Sequence, residues 1–302
     1  MNFVLFAVVP LVGLLCSPCS AATVGFLYSG GTTTTINVPG ASETEAFGIN
    51  NAGQIVGDYS NDGGATRRGF LFSGGVYSTF AAPGATTTIP LGINNTGQIV
   101  GYAIGPGLTT SGFLYSNGTF NLINVVAPPA LTWGYSINDQ GQVAGAYAGS
   151  SFPTNGYLLT GGNVADVNAP GALSTVATGL NNSGNIVGIF GNGNGGPQSF
   201  LFDGSAFQTL SVPGATSSYA TDINNAGNIL LQSNLGNYML SDGIYSPVLP
   251  YAYEAFGFND SNQIVGRVSG VPGPSVGAGL PGLTMVVVVL IGWRRTRCAM
   301  AA

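Results

Sequence analysis

The chain has 302 residues, 49 of them Gly and 17 Pro, with no His and only 6% charged residues. Between residues 23 and 276 three Arg stand against eleven acids, so nucleic-acid binding has almost no electrostatic footing. The three Cys (Cys16, Cys19, Cys298) fall near the ends. The body therefore builds no disulfide, and without His it lacks the usual zinc and copper ligand sets.

Residues 1–22 read as a secretory signal peptide. Phe3 to Leu15 is an apolar stretch broken by Pro10, and Ser20-Ala21-Ala22 supplies small residues for cleavage. A lipoprotein reading of Cys16 or Cys19 is weaker, because Leu15 and Pro18 precede them. A true membrane anchor would need a longer span.

Residues 23–269 carry a repeat. GINNAGQIVG (48–57) returns as GINNTGQIVG (92–101), SINDQGQVAG (136–145), GLNNSGNIVG (179–188), DINNAGNILL (222–231) and GFNDSNQIVG (257–266). The first Asn of each copy falls at 50, 94, 138, 181, 224 and 259, giving spacings of 44, 44, 43, 43 and 35. Each copy gives four strand signals. In the second these are 91–94, 98–102, 112–115 and 119–125, with turns at Asn95-Thr96-Gly97 and Ser116-Asn117-Gly118. Pro-Gly links (38–41, 82–85, 169–172, 212–215) end each sheet. Four strands in this period is the length of a β-propeller blade. The runs FLYS, FLFS, FLYS, YLLT, FLFD and YMLS are nearly continuous in apolar character, as expected for sheets covered on both faces.

The ends complement each other. The body opens with a strand pair (24–28, 32–38) of the third and fourth type and closes with a pair (256–259, 263–268) of the first and second. Together they make one blade. The expectation is an all-β, six-bladed propeller closed by its terminal strands, with 24–28 beside 263–268. An open β-solenoid is the rival and would leave those strands apart.

Residues 270–302 read as a second address. Val271-Pro272-Gly273-Pro274 leads into GAGLPGLTMVVVVLIGW and then Arg294, Arg295 and Arg297. An apolar span of ~18 residues ending in a basic cluster predicts a short transmembrane helix. This order of motif, helix and arginines resembles the PEP-CTERM sorting signals of Gram-negative bacteria, with Gly273 where those have Glu. That resemblance implies an exosortase-type processing enzyme as partner. The body resembles the HAF family of extracellular bacterial repeats, which share the Ile-Asn-(Asn/Asp)-x-Gly-Gln-(Ile/Val)-Val-Gly hairpin and an aromatic strand start. The aromatics here are Phe26, Phe70, Phe113, Tyr157, Phe200 and Tyr238, without the family's His. The family implies an exported repeat protein and supplies no catalytic residues or cofactor.

The repeated Asn pairs read as turn chemistry rather than ligands, and the repeated aromatics as core between blades. One set departs from the repeat. Five positions before the first Asn lie Glu45, Ile89, Trp133, Val176, Tyr219 and Glu254. In a closed propeller Glu45 and Glu254 are neighbours, with Glu43 near. With Trp133 and Tyr219 they form a candidate rim for calcium or a neutral sugar, against the plainer reading of solvated acids. Glu45 and Glu254 are also the candidates for a paired-carboxylate glycan hydrolase, since no His, Lys or body Cys offers another base or nucleophile. The reading favoured is an exported, non-enzymatic surface or matrix module. Its partner would be extracellular polysaccharide or a surface protein, and a membrane-tethered scaffold is a further alternative.

Overall fold

The computed structural model describes residues 22–106, 109–126, 131–149, 154–192, 197–250 and 252–271. The expected signal peptide through residue 21, Pro272 to Pro274, the expected transmembrane helix and Arg294, Arg295 and Arg297 lie outside the described residues. The described chain forms six four-stranded antiparallel sheets. Blade one holds β3 (Glu43–Ile49), β4 (Ile55–Ser60), β5 (Arg68–Ser73) and β6 (Val76–Phe80). Blade two holds β7 (Thr87–Ile93), β8 (Ile99–Ile104), β9 (Thr110–Ser116) and β10 (Thr119–Ile123). Blade three holds β11 (Leu131–Ile137), β12 (Val143–Ala148), β13 (Thr154–Thr160) and β14 (Asn163–Asp166). Blade four holds β15 (Ser174–Leu180), β16 (Ile186–Gly191), β17 (Gln198–Phe202) and β18 (Phe207–Leu210). Blade five holds β19 (Ser218–Ile223), β20 (Ile229–Ser233), β21 (Gly236–Ser241) and β22 (Ile244–Leu249). Blade six is composite: β23 (Tyr253–Phe258) and β24 (Ile264–Val271) from the end, then β1 (Ala22–Ser29) and β2 (Thr32–Ile36) from the start.

The ring therefore closes as the terminal repeats predict. β1 pairs β24 antiparallel from Tyr28↔Ile264 to Val24↔Val268, and on to Ala22↔Val271. The last pairing carries β24 two residues past the expected boundary at 269. The first strand of each blade is also longer than the turn signals alone implied; β7 begins at Thr87, not Leu91. Pro90 is tolerated within it because β7 is an edge strand, so one side of its ladder needs no N–H.

The Pro-Gly links are tight turns, not bare sheet breakers. Ala41, Ala85, Ala172 and Ala215 N–H each donate back to the carbonyl three residues earlier, and Gly40, Gly84, Gly171 and Gly214 take the positive φ that this turn demands. A hydroxyl from the next strand fixes each link. Thr44, Thr88, Thr175 and Ser218 accept from the N–H of Val38, Ala82, Ala169 and Val212 at 2.9–3.2 Å.

The described residues form no single core. Six apolar clusters each draw on two neighbouring blades; one joins Val100 and Ile123 of blade two to Ile137, Val143 and Tyr157 of blade three. Dry faces on both sides of a sheet leave few positions for charge, which accounts for the composition. Five of the six repeated aromatics (Phe26, Phe70, Phe113, Tyr157, Phe200) are at most 2% exposed. Each sits opposite a glycine in the second strand, as Phe200 does opposite Gly188. A Cβ on Gly188 would lie 2.8 Å from the Phe200 ring and closer still to the Val176 carbonyl. Tyr238 departs from the expectation and is only half-buried. Its opposite residue is Leu231, which occupies the space the glycine leaves elsewhere.

Gly188→Ala should therefore cost about 1–3 kcal/mol through overpacking. The check is urea unfolding, with a lower midpoint and unchanged slope expected.

Candidate functional site

The hairpin after each first strand brings its Asn pair to one end of the axis. The first Asn does two things. Its Oδ1 accepts the N–H groups of its own turn, as Asn94 does from Thr96 and Gln98 at 3.1 and 2.9 Å. Its Nδ2 donates to the carbonyl of the first Asn in the next blade. The chain of donors runs Asn50 to Asn94, Asn94 to Asn138, Asn138 to Asn181, Asn181 to Asn224, Asn224 to Asn259, and Asn259 back to Asn50, at 3.0–3.4 Å. Turn chemistry is thus half of the role, and a closed hydrogen-bonded ring is the other half.

The second position makes an outer ring. The N–H of each donates to the side-chain Oδ1 of the next, from Asn51 through Asn95, Asp139, Asn182, Asn225 and Asp260 back to Asn51, at 2.8–3.0 Å. The two aspartates stand in blades three and six, on opposite sides. Burial opposes their ionisation, but the flanking amides outweigh it and hold both carboxyls below the usual range: Asn182 and Asn95 on Asp139, Asn225 and Asn51 on Asp260.

Inside these rings lies a cavity of about 100 Å³, room for a few waters. Each first strand carries a β-bulge at the same place, as between Ala46 and Gly48 or Ala177 and Gly179. The extra residue faces the axis, so Phe47, Leu91, Tyr135, Thr178, Thr221 and Phe256 line the cavity. The residue after the bulge is Gly in four blades, because the next blade presses on it; a Cβ on Gly179 would sit 2.8 Å from the Asp222 Cα. Blades three and five depart from this. Ser136 Oγ accepts from Leu180 N–H at 3.1 Å. Asp222 Oδ2 accepts from Phe258 N–H at 3.2 Å, and its Oδ1 from Ile223 N–H at 2.9 Å. Asp222 is half-buried and opens onto the cavity. Burial pushes its carboxyl up to about 7 against those two hydrogen bonds, and the Asp260 charge adds to the rise.

The expected rim residues lie nearer the other end of the first strands and do not line this cavity. The structure brings Glu43, Glu45 and Glu254 together, but with partners the sequence reading missed. Arg67 bonds Glu43, Glu45 (2.8 Å) and Asp58 (2.6 Å), and it is 5% exposed. Arg267 bonds Glu45 (2.6 Å) and Glu254 (2.7 Å) and packs over the Phe256 ring at 5.5 Å. Glu45 thus has one oxygen on each arginine, and its side chain is 6% exposed, so it is not a solvated loop acid. The cluster joins blade one to blade six at the seam where the ring closes. Trp133 and Tyr219 share the register of Glu45 and are half-buried, while Ile89 is buried. Among the described residues no group of three or more acidic, His or Cys side chains is arranged to hold a metal ion.

No family model matches the chain, and no curated protein matches it. Solved structures do. A putative TolB from Agrobacterium tumefaciens is 10% identical with a TM-score of 0.62, over 83% of this chain and 99% of that one. The β-propeller domain of the Trilobed protease from Pyrococcus furiosus is also 10% identical, with a TM-score of 0.51 over 83% and 90%. A mutant of the Aleuria aurantia lectin is 12% identical, with a TM-score of 0.45 over 74% and 86%. At these identities the first two likenesses establish the propeller fold.

Asp222 gives the fold a pH dependence. Its carboxyl rises from an ordinary 3.8 to about 7 on folding, so the folded chain holds a proton that the unfolded chain releases. That contribution is fully present below the unfolded value and is lost as pH rises through the folded one. The melting temperature should fall between about pH 4 and about pH 7, and Asp222→Asn should flatten the slope. An identical slope in the variant would assign the dependence to another group.

Proposed function

We propose that this is an exported, non-enzymatic propeller that serves at the cell surface or in the extracellular matrix as a structural and binding module, with extracellular polysaccharide as its ligand class. The observation that carries the non-enzymatic part is the state of Glu45. Paired-carboxylate hydrolysis needs one protonated acid and one free carboxylate flanking a bond. Here Arg267 bridges Glu45 and Glu254, and Arg67 takes the second oxygen of Glu45. These acids serve to hold the seam. The polysaccharide part rests on Trp133 of blade three and Tyr219 of blade five, half-buried aromatic faces of the kind that stack on sugar rings. Export rests on the leader and on the tail's resemblance to an exosortase-processed signal.

The test is calorimetric titration of the purified chain with a panel of bacterial exopolysaccharides, with and without calcium. Saturable heat that weakens at least several-fold in Trp133→Ala supports the reading. Release of reducing ends that disappears in Glu254→Gln would overturn it in favour of the hydrolase. No heat with any polymer would leave a scaffold without a glycan ligand.

A further inference from the structure

Among the described residues no strand pairs with the outer edge of any blade. Each outermost strand therefore presents a row of backbone N–H and C=O groups to its surroundings, and such a row is a template for another strand. Soluble proteins blunt such edges with charge, Pro, bulges or short length.

Some blades here follow that practice. β14 has four residues and ends on Asp166. β22 contains Pro247, and its pairing with β21 slips in register. Three consecutive blades do not. β2 (TTTTI) in blade six, β6 (VYSTF) in blade one and β10 (TFNLI) in blade two have five residues each, without a charge or a Pro. Each pairs with its inner neighbour in unbroken register. Their composition is β-branched and aromatic, suited to extended pairing. Val76 and Leu122 on these edges are 65% and 63% exposed.

We propose that this arc of three edges is a homotypic interaction surface, and that its partner is a second copy of this chain added edge to edge. Antiparallel pairing of one edge with its own copy is self-complementary about a two-fold axis, so each edge is its own partner. The edges carry no charge to repel that copy. The backbone rows supply hydrogen bonds, and the exposed Thr, Val and Leu side chains supply cross-strand contacts. One five-residue edge is a weak contact. Three on one side of the ring let a molecule engage more than one neighbour, so association grows into sheets or clusters instead of stopping at a dimer. This goes beyond the polysaccharide reading and does not depend on it.

The experiment is sedimentation velocity of the full chain in non-ionic detergent across a concentration series. A triple variant, Thr33→Lys, Ser78→Lys and Asn121→Lys, places one charge at an exposed position of each edge. The matching Glu triple tests the opposite sign and serves if the Lys triple folds poorly, with circular dichroism confirming the fold. A control, Ala52→Lys, Gln140→Lys and Ala226→Lys, adds the same charge on exposed turns of the axial end. The expected result is concentration-dependent association of the parent and the control, with both edge triples sedimenting as monomers. A parent that stays monomeric at every concentration overturns the proposal. So does an edge triple that associates like the parent, or a control that dissociates as fully as the edge triples.

Discussion

The amide of the first turn asparagine is the interaction on which the ring depends. A hairpin turn needs only an acceptor there, and an Asp would provide it. The blade-to-blade bond needs a donor as well, since each Nδ2 reaches the backbone carbonyl of the next turn. All six asparagines are at most 4% exposed, so each amide left unmade would be a buried orphan costing about 1–3 kcal/mol. The same side chain thus shapes its own hairpin and sets the spacing to its neighbour. The bulge, the pressed glycines and the cavity follow from that close approach at the axis.

Closure places a second demand on the molecule. Five blades are each made from one continuous stretch, while the sixth is assembled from both ends, so its two strand pairs are joined without a covalent link. The ion pairs, buried at Arg67, Glu45 and Asp58 and partly exposed at Arg267 and Glu254, sit beside that joint, where the C-terminal half of blade six meets blade one. Two of the three body arginines and four of its eleven acids gather where blade one meets blade six. A buried ion network of this kind adds little net stability over an apolar packing, but removing one member is costly. Loss of either arginine therefore leaves a buried carboxylate of the cluster short of its partner. Blade five is fitted to its trimmed link by another polar device. Asn237 donates to the carbonyls of Pro250 and Tyr253, at 3.2 and 2.7 Å.

Much of this was legible in the sequence. The repeat period gave the blades, and the terminal half-repeats gave the closure, because both follow from counting strands. The aromatic core was legible in five blades and failed at Tyr238, where Leu231 replaces the facing glycine; the altered motif DINNAGNILL was the available sign. The asparagine ring was missed although its signal was present. The first position is Asn in all six copies, whereas the second is Asn in four and Asp in two. A turn alone does not explain that difference. The candidate rim was read from acids and aromatics alone. Arg67 and Arg267 lie in a loop and a second strand, and only three-dimensional closure brings them to Glu45 and Glu254.

The most direct test of the account is hydrogen exchange on Asn259→Ala. Asn259, in the C-terminal half of blade six, donates to Asn50 of blade one, 209 residues away in the chain. Losing that bond should lower global stability by about 2 kcal/mol and raise exchange most in β1, β24 and the turn at Asn50. Exchange that rises only in the variant's own turn, with stability unchanged, would contradict the claim that the asparagine ring holds the propeller closed.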